Sequence, residues 1–398
     1  MSLDLSKVID QITDMVTRLK TGRNERLERI NSAVATLRNQ SEGLDALKKK
    51  IALSRGKTTW LVAEPVEKLD IRHSLPPIPP DFTVLATDGS HIDVDRHHAA
   101  HCFLINIGAV ALRYGSKPDA ILENQPVMYS EDSDLMIASP DKLREVPIEG
   151  NLLGMKRSVE ECKRLAEMAA SIPVGSLALG IMDGTLILWN LEAYPEFVTE
   201  TLLEKGYLVH LEEIRKLNAD RKIALASYIS FPRSTDVVNA LRVALCPQEF
   251  VDSDKCPACA TRECYGISGV RDRDLFAGIL TPGERSALFI SPSKIQRHYG
   301  KHLVHFFYLK LNEETARVEI PRWVAQDNER LELVHALLVD QCERGQGYPV
   351  ALSEAHEKAV VTGADRENFW RLVDESLVEK HLPLAESEKS RSKRTRWL

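Results

Sequence analysis

Two aspartates in matching contexts are the residues best placed for chemistry in this chain: Phe82-Thr-Val-Leu-Ala-Thr-Asp88-Gly-Ser90 and Leu177-Ala-Leu-Gly-Ile-Met-Asp183-Gly-Thr185. Each follows an apolar run of strand length and precedes a glycine and a hydroxyl residue. Such a run is expected to stop at solvent, where glycine permits a sharp turn. Two carboxylates held at rigid strand ends, about 95 residues apart in sequence, would form a site for divalent cations, and so for phosphate chemistry, if one sheet brought them side by side. Side-chain capping of two separate turns explains the same residues equally well.

The segment from about Leu152 to Ala170 reads as a helix and offers a third carboxylate. Val159, Cys162, Ala166 and Ala169 form its apolar stripe, with Lys156, Glu160, Lys163, Arg164 and Glu167 on the wet face. Glu161 falls beside the stripe with Ser158, Leu165 and Met168. A half-buried carboxylate needs a partner, either a cation or a neighbour such as Arg157 or Arg164. Glu160 is the alternative if the helix phase shifts by one residue. Near the carboxyl end, Gly347-Tyr348-Pro349-Val-Ala-Leu-Ser353-Glu-Ala-His356 places a histidine in the first turns of a helix starting near Pro349. An imidazole there can ligate a metal, move a proton or contact a phosphate, and the Tyr348 hydroxyl can orient an oxygen. Histidine also serves in purely structural contacts.

The elements that must position these groups follow from periodicity. Residues 4 to about 54 read as two helical stretches (Leu5, Val8, Ile12, Met15, Leu19, then Leu27, Ile30, Val34, Leu37) broken near Gly22, a hairpin packed on the body or on a second subunit. His73-Ser-Leu-Pro-Pro-Ile-Pro-Pro80 is a stiff connector. Strands at about Cys102 to Leu112 and Pro126 to Tyr129 would form a meander with the first key strand. After the second come a helix (about 192 to 218), a strand (Ile223 to Ile229), strands near 286 to 290 and 303 to 311, and a helical part from about 328 to 380. Strands first, then strand–helix–strand alternation, predict an α/β fold with a mixed sheet flanked by helices.

Taken together, Asp88-Gly-Ser, a helix glutamate, Asp183-Gly-Thr, Ala316-Arg-Val-Glu-Ile-Pro-Arg-Trp323 and Gly347-Tyr-Pro…Ala355-His356 resemble the NurA nuclease family over about residues 80 to 370. Five separated blocks in the same order carry the resemblance. It implies a ribonuclease-H-like fold and manganese-dependent cleavage of DNA: 5′ to 3′ exonuclease action on single- and double-stranded ends, and endonuclease action on single strands. It implies a homodimer docked on a hexameric HerA-type DNA-translocating ATPase, in end resection for double-strand-break repair. By position, Asp88, Glu161 and Asp183 become the metal-binding acids, with Tyr348 and His356 completing the site. Two divalent ions on three carboxylates suit phosphodiester hydrolysis. Oxygen ligands fit Mn²⁺ or Mg²⁺, and one imidazole tilts the choice to Mn²⁺. His356 would ligate or back the second ion, and Tyr348 would position a phosphate oxygen.

Other groups stand outside that set. Ser230-Phe-Pro-Arg233 follows a strand and could hold a DNA phosphate. Arg317 and Glu319 share a strand face, as an ion pair or as part of a DNA channel, and Asp272 and Asp274 are further acidic candidates or helix caps. His91, His97, His98 and His101 read as a hairpin connection. Cys246-x9-Cys256-x2-Cys259-x4-Cys264 suits a structural zinc ion or an iron–sulfur cluster stapling an insertion at 246–270; a redox pair is the weaker reading.

Bulk composition narrows the classes. At 398 residues, 43% hydrophobic and 28% charged, the chain has ample core. The net charge of -6 gives no global basic signature, so nucleic-acid contact would need a local groove. No apolar stretch reaches membrane-span length and no export signal is visible, and the seven cysteines fit a reducing cytoplasm. The expected organisation is an N-terminal helical segment and linker (1–72), a ribonuclease-H-like domain (73–380) and a solvated tail (381–398). Two other classes compete with the nuclease. A kinase of the actin and sugar-kinase type would need glycine-rich phosphate loops that are not evident, and a non-catalytic adaptor would have no use for the acidic set.

Overall fold

A computed structural model describes residues 4–95, 98 and 100–382. His97 and most of the expected tail lie outside the described residues. The chain divides into two units: Met1–Leu75, Ser230–Ser293 and His305–Val318 form one; Pro76–Ile229, Lys294–Val304 and Glu319–Leu398 form the other. The first unit joins the N-terminal helices to the cysteine-bearing stretch, which a linear reading keeps in separate domains.

The second unit carries the aspartates. Its strands are β1 (Phe82–Ile92), β2 (Phe103–Tyr114) and β3 (Asp119–Tyr129), then helix α1 (Asn151–Ser171) and β4 (Leu177–Asp183). Helix α2 (Leu208–Leu217), β5 (Lys222–Ile229), α3 (Asn328–Arg344), α4 (Val350–Ala359) and α5 (Gly363–Glu379) follow. The order across the sheet is β5-β4-β1-β2-β3, with β1, β2 and β3 antiparallel and β1, β4 and β5 parallel. This is the ribonuclease-H-like mixed sheet: a meander of three, then strands added by helical crossovers.

Helix α1 forms where periodicity puts it and stops before Pro173, which disfavours helix at Ile172. Its stripe of Val159, Cys162, Leu165, Ala166 and Ala169 is buried with Leu85, Ile105, Ile107 and Leu225 of the sheet. Residues alternate across a strand, so Leu85, Thr87 and Gly89 face α1 while Val84, Ala86 and Asp88 face the other side. On that other side, Gly108 sits opposite Asp88 in the register. A Cβ at Gly108 would lie 2.1 Å from the Ala355 carbonyl oxygen of α4. Glycine there is what lets α4 rest on the sheet.

Several expectations need correction. Asp88 does not end its strand: β1 runs on to Ile92, although its pairing to β4 stops at Thr87. Gly89 is therefore no turn residue. Segment 192–218 is helical from Glu196, just after Pro195, to Leu217, but not regular throughout: an α-helical turn, Glu196–Thr199, and a π-helical stretch, Glu200–Tyr207, run directly into α2. The strand expected near Pro126 starts earlier, at Asp119. In the first unit, helices Ile9–Thr21, Arg23–Gln40 and Leu44–Ser54 match the helical reading. However, the first buries no residue, and its stripe of Ile9, Ile12, Met15 and Leu19 is exposed rather than packed on the body.

The rest of the first unit is built around Phe276, Phe289, Phe306 and Tyr308, which stack in the core beneath helix Asp236–Leu245. Asp272, weighed as a site acid or as a cap for its own helix, is fully buried and does neither. It accepts hydrogen bonds from the Val237 and Val238 amides and from the Tyr308 hydroxyl. It thus caps the start of another helix earlier in the chain, Asp236–Leu245, satisfying amides that have no partner within that helix.

The Gly108 contact yields a direct test. Gly108→Ala should destabilise the protein by about 1–3 kcal/mol in denaturant unfolding, because backbone atoms must move. Gly180→Ala, whose Cβ would meet only leucine side-chain carbons at 3.4 Å, should cost far less. Equal effects would remove the close approach of α4 as the reason for Gly108.

Candidate active site

Parallel pairing of Thr87 with Met182 puts Asp88 and Asp183 next to one another at the end of the β1–β4 ladder. Neighbouring strands lie about 4.8 Å apart, so the two carboxylates leave the sheet side by side on one face. Asp183 closes its strand, and Gly184 turns the chain with φ +78°. A non-glycine residue is strained in that conformation. The Thr185 hydroxyl is taken up structurally: it donates to Glu319 at 2.7 Å and accepts from the Ile187 amide at 3.1 Å. Glu319, which is buried, also accepts from the Leu186 amide, so it holds the turn that carries Asp183.

The third carboxylate reaches the pair from the opposite face. Glu161 is buried, and a Cβ at Gly89 would lie 2.6 Å from its Oε1. Gly89 is the gap through which Glu161 approaches Asp88. The Thr87 hydroxyl donates to the Glu161 carbonyl at 3.1 Å and pins α1 at this height. Arg157, one turn earlier, sits 3.0 Å from Glu161 Oε1. Glu160, the alternative candidate, points elsewhere, to Lys156 at 2.7 Å and Lys163 at 3.9 Å.

Helix α4 and the loop before it supply the last two groups. His356 Nδ1 lies 2.7 Å from Asp88 Oδ2, and the Asp88 side chain is largely buried while His356 is exposed. The helix starts just after Pro349, as expected, which puts His356 in its second turn; because the helix is short, that is also close to its end. The Tyr348 hydroxyl donates to Asp183 Oδ1 at 2.9 Å, and its ring meets Tyr228 edge-on. Gln346 and Gly347, both at positive φ, shape the loop that presents it.

Charge crowding marks this place. Burial raises the Glu161 carboxyl from 4.5 to about 7, with the charges of Asp88 and Asp183 adding and Arg157 opposing. Burial and Asp88 also raise Asp183, against the Tyr348 hydrogen bond. The Tyr348 phenol is raised by burial and by Asp183, so it stays a proton donor at neutral pH. Three acids so placed, with an imidazole, can hold divalent cations.

Other candidates are not part of this set. Arg317 is buried, 2.8 Å from Asp236 and stacked on Phe306, so DNA cannot reach it. Ser230 donates to Glu314 at 2.8 Å, and Arg233 is exposed. Among the described histidines of the β1–β2 connection, His98 stacks on Trp370 and lies 3.2 Å from Asp374, a structural use. Among the described residues, donor atoms lying within 4.8 Å of one another occur at Glu196, Glu204 and His298. The acids around Asp88 and the four cysteines are more widely spread. What the sequence did not reveal is Gly89 and Gly108 as points of helix approach and Glu319 as the anchor of the Asp183 turn. Only spacing relative to distant partners distinguishes them.

A family model described as the NurA domain matches residues 82–361, well over half of the chain. The chain belongs to the NurA family. That match includes Asp88, Glu161, Asp183, Tyr348 and His356. Among solved structures, the NurA nuclease from Sulfolobus solfataricus is similar at 14% identity over 94% of this chain and 98% of that one, with a TM-score of 0.44. Drosophila Piwi is similar at 9% identity over 69% and 29% of the two chains, TM-score 0.26. LC9-RNase H1, a type 1 RNase H with the type 2 active-site motif, follows at 10% over 50% and 89%, TM-score 0.21. No curated protein matches the chain.

The raised Glu161 value has a consequence for this NurA protein. An acid whose folded pKa is raised keeps its proton longer in the native state. The native state is therefore unpenalised below about 4.5 and loses stability as pH rises toward about 7, by about 3 kcal/mol at most. In EDTA, unfolding measured between about pH 5 and about pH 8 should show this loss, and Glu161→Gln should flatten it. An unchanged slope in that variant would mean Glu161 does not carry the charge cost.

Proposed function

We propose that this NurA protein is a divalent-metal-dependent DNA nuclease whose site is Asp88, Glu161, Asp183, Tyr348 and His356. The observation that carries the reading is the register of β1 and β4, which sets Asp88 beside Asp183 with the buried Glu161 facing both. The donor set fits the cations. Glu161 is buried close to two other carboxylates, and one guanidinium is too little positive charge for three acids. Phosphodiester hydrolysis on such carboxylate sets commonly employs two divalent ions. Oxygen donors with a single imidazole favour Mn²⁺, with Mg²⁺ as the alternative.

Bound divalent ions would neutralise phosphate charge and lower the pKa of water. The chain's own groups do the rest. Asp88, Glu161 and Asp183 would hold the cations, Glu161 from the α1 face of the sheet and the two aspartates from the other. Tyr348 holds Asp183 in one orientation through its 2.9 Å hydrogen bond, or shifts that proton toward a phosphate oxygen when substrate enters. His356, with Nδ1 on Asp88, presents its second nitrogen from an exposed side chain, where it can ligate or donate a proton to a leaving oxygen.

Family membership supports the finer reading: 5′ to 3′ exonuclease and single-strand endonuclease action, in end resection and double-strand-break repair, by a homodimer working with a HerA-type ATPase. Arg233 and Ser230 remain the candidate phosphate contacts. Among the described residues no helix is long and apolar enough to cross a membrane, and we place the protein in the cytoplasm with its DNA.

End-labelled linear duplex and single-stranded DNA, incubated with Mn²⁺ or with EDTA, test the assignment. Digestion should occur only with the metal, vanish in Asp88→Ala, and fall about 10- to 100-fold in Tyr348→Phe, which removes only a partner of a ligand. Metal-independent digestion, or digestion that survives Asp88→Ala, rules the site out.

A further inference from the structure

The cysteines of the first unit take no part in the site above. Cys246 caps the end of helix Asp236–Leu245, Cys256 lies in the turn Ser253–Ala258, Cys259 follows it, and Cys264 lies in the turn Glu263–Ile267. All four are free thiols of intermediate exposure. The Cys259 amide donates to the Cys256 carbonyl at 3.1 Å, so the Cys-x-x-Cys pair shares one tight turn. Arg262, at φ +46°, takes the left-handed conformation between this pair and the turn that carries Cys264. Cys256 comes within electrostatic reach of the thiols of Cys264, Cys246 and Cys259.

We propose that Cys246, Cys256, Cys259 and Cys264 bind one structural zinc ion. Two further features of the structure support this. The first is a ring of cations suited to a site of net negative charge. Lys50 hydrogen-bonds the Cys246 carbonyl, Arg242 lies in electrostatic reach of Cys256 and Cys264, and Arg262 lies in reach of Cys259. Four thiolates on a divalent ion carry two excess negative charges, and such neighbours stabilise them. The second is the nature of the stretch. Between Phe250 and Gly269 the chain makes only short 3-10 turns, without strand pairing, although Ile267 and Val251 are buried in the core. A loop of this length without its own regular structure is otherwise hard to hold in place.

Zinc suits the spacing better than an iron–sulfur cluster does. A Cys-x2-Cys pair with a third thiol five residues on is within the range of structural zinc sites. It matches neither of the common ferredoxin spacings. The sulfurs stand wider than a bound ion would hold them, so binding must bring them closer together. Because the turns are short and partly exposed, rotation of the cysteine side chains can supply that movement. The set Glu196, Glu204 and His298 is weaker, since Arg297 already donates to His298 and nothing else there points to a ligand.

Elemental analysis of the full chain, purified without added metal, should find about one zinc per chain. Cys256→Ser with Cys259→Ser should lose it, whereas Asp88→Ala should keep it. Where the double variant does not fold, the native chain decides: a mercurial titrated against the thiols should release zinc to a colorimetric chelator in step with thiol modification. Zinc far below one per chain, with all four thiols reacting freely with a disulfide reagent, overturns the proposal. Iron and acid-labile sulfide with visible absorption overturn it in favour of a cluster.

Discussion

Close approach of two helices to one pair of strands is the constraint on which the acidic site depends. At Gly89 a carboxylate from α1 occupies the space a Cβ would need, and at Gly108 the backbone of α4 does the same on the opposite face. The two glycines let groups from both layers meet at the edge of a single ladder. Without that approach Glu161 would remain on its own side of the sheet, and His356 could not reach Asp88. Glycine is used here for its missing side chain rather than for its backbone freedom, since neither residue adopts positive φ.

The meeting has an electrostatic cost. Three carboxylates gather where burial already disfavours charge, and Arg157 offsets only part of this. A fold that merely needed stability would place apolar residues here. Groups kept in such a strained electrostatic state cluster at sites of chemistry. The supporting contacts are arranged accordingly. Thr87 pins α1, Glu319 holds the turn after Asp183, and Tyr348 and His356 each bond one aspartate oxygen. Membership of the NurA family is consistent with a site of this composition, and its matched span contains every one of these residues.

Much of this was legible before any fold was known, and the reasons are local. The apolar runs before Asp88 and Asp183 announce strands, and the stripe of α1 sets Glu161 rather than Glu160 beside the core. What failed also failed for physical reasons. Asp88-Gly89 looked like a turn because turn and close approach both call for glycine, and only the continued pairing of β1 with β2 separates them. Arg317 was open to two readings, an ion pair with Glu319 or a DNA contact, because sequence shows a charge without its partner, here Asp236. Asp272 looked like a cap for its own helix, yet the amides it serves come 35 positions earlier in sequence.

The sequence by itself determined the residue types, the strand and helix periods and hence the order of elements, because these depend on neighbours within a few positions. Only the tertiary structure decided which carboxylates meet, from which face, and at what cost in charge. Those answers depend on register between strands far apart in the chain and on which side of the sheet each helix lands, and no local period encodes either.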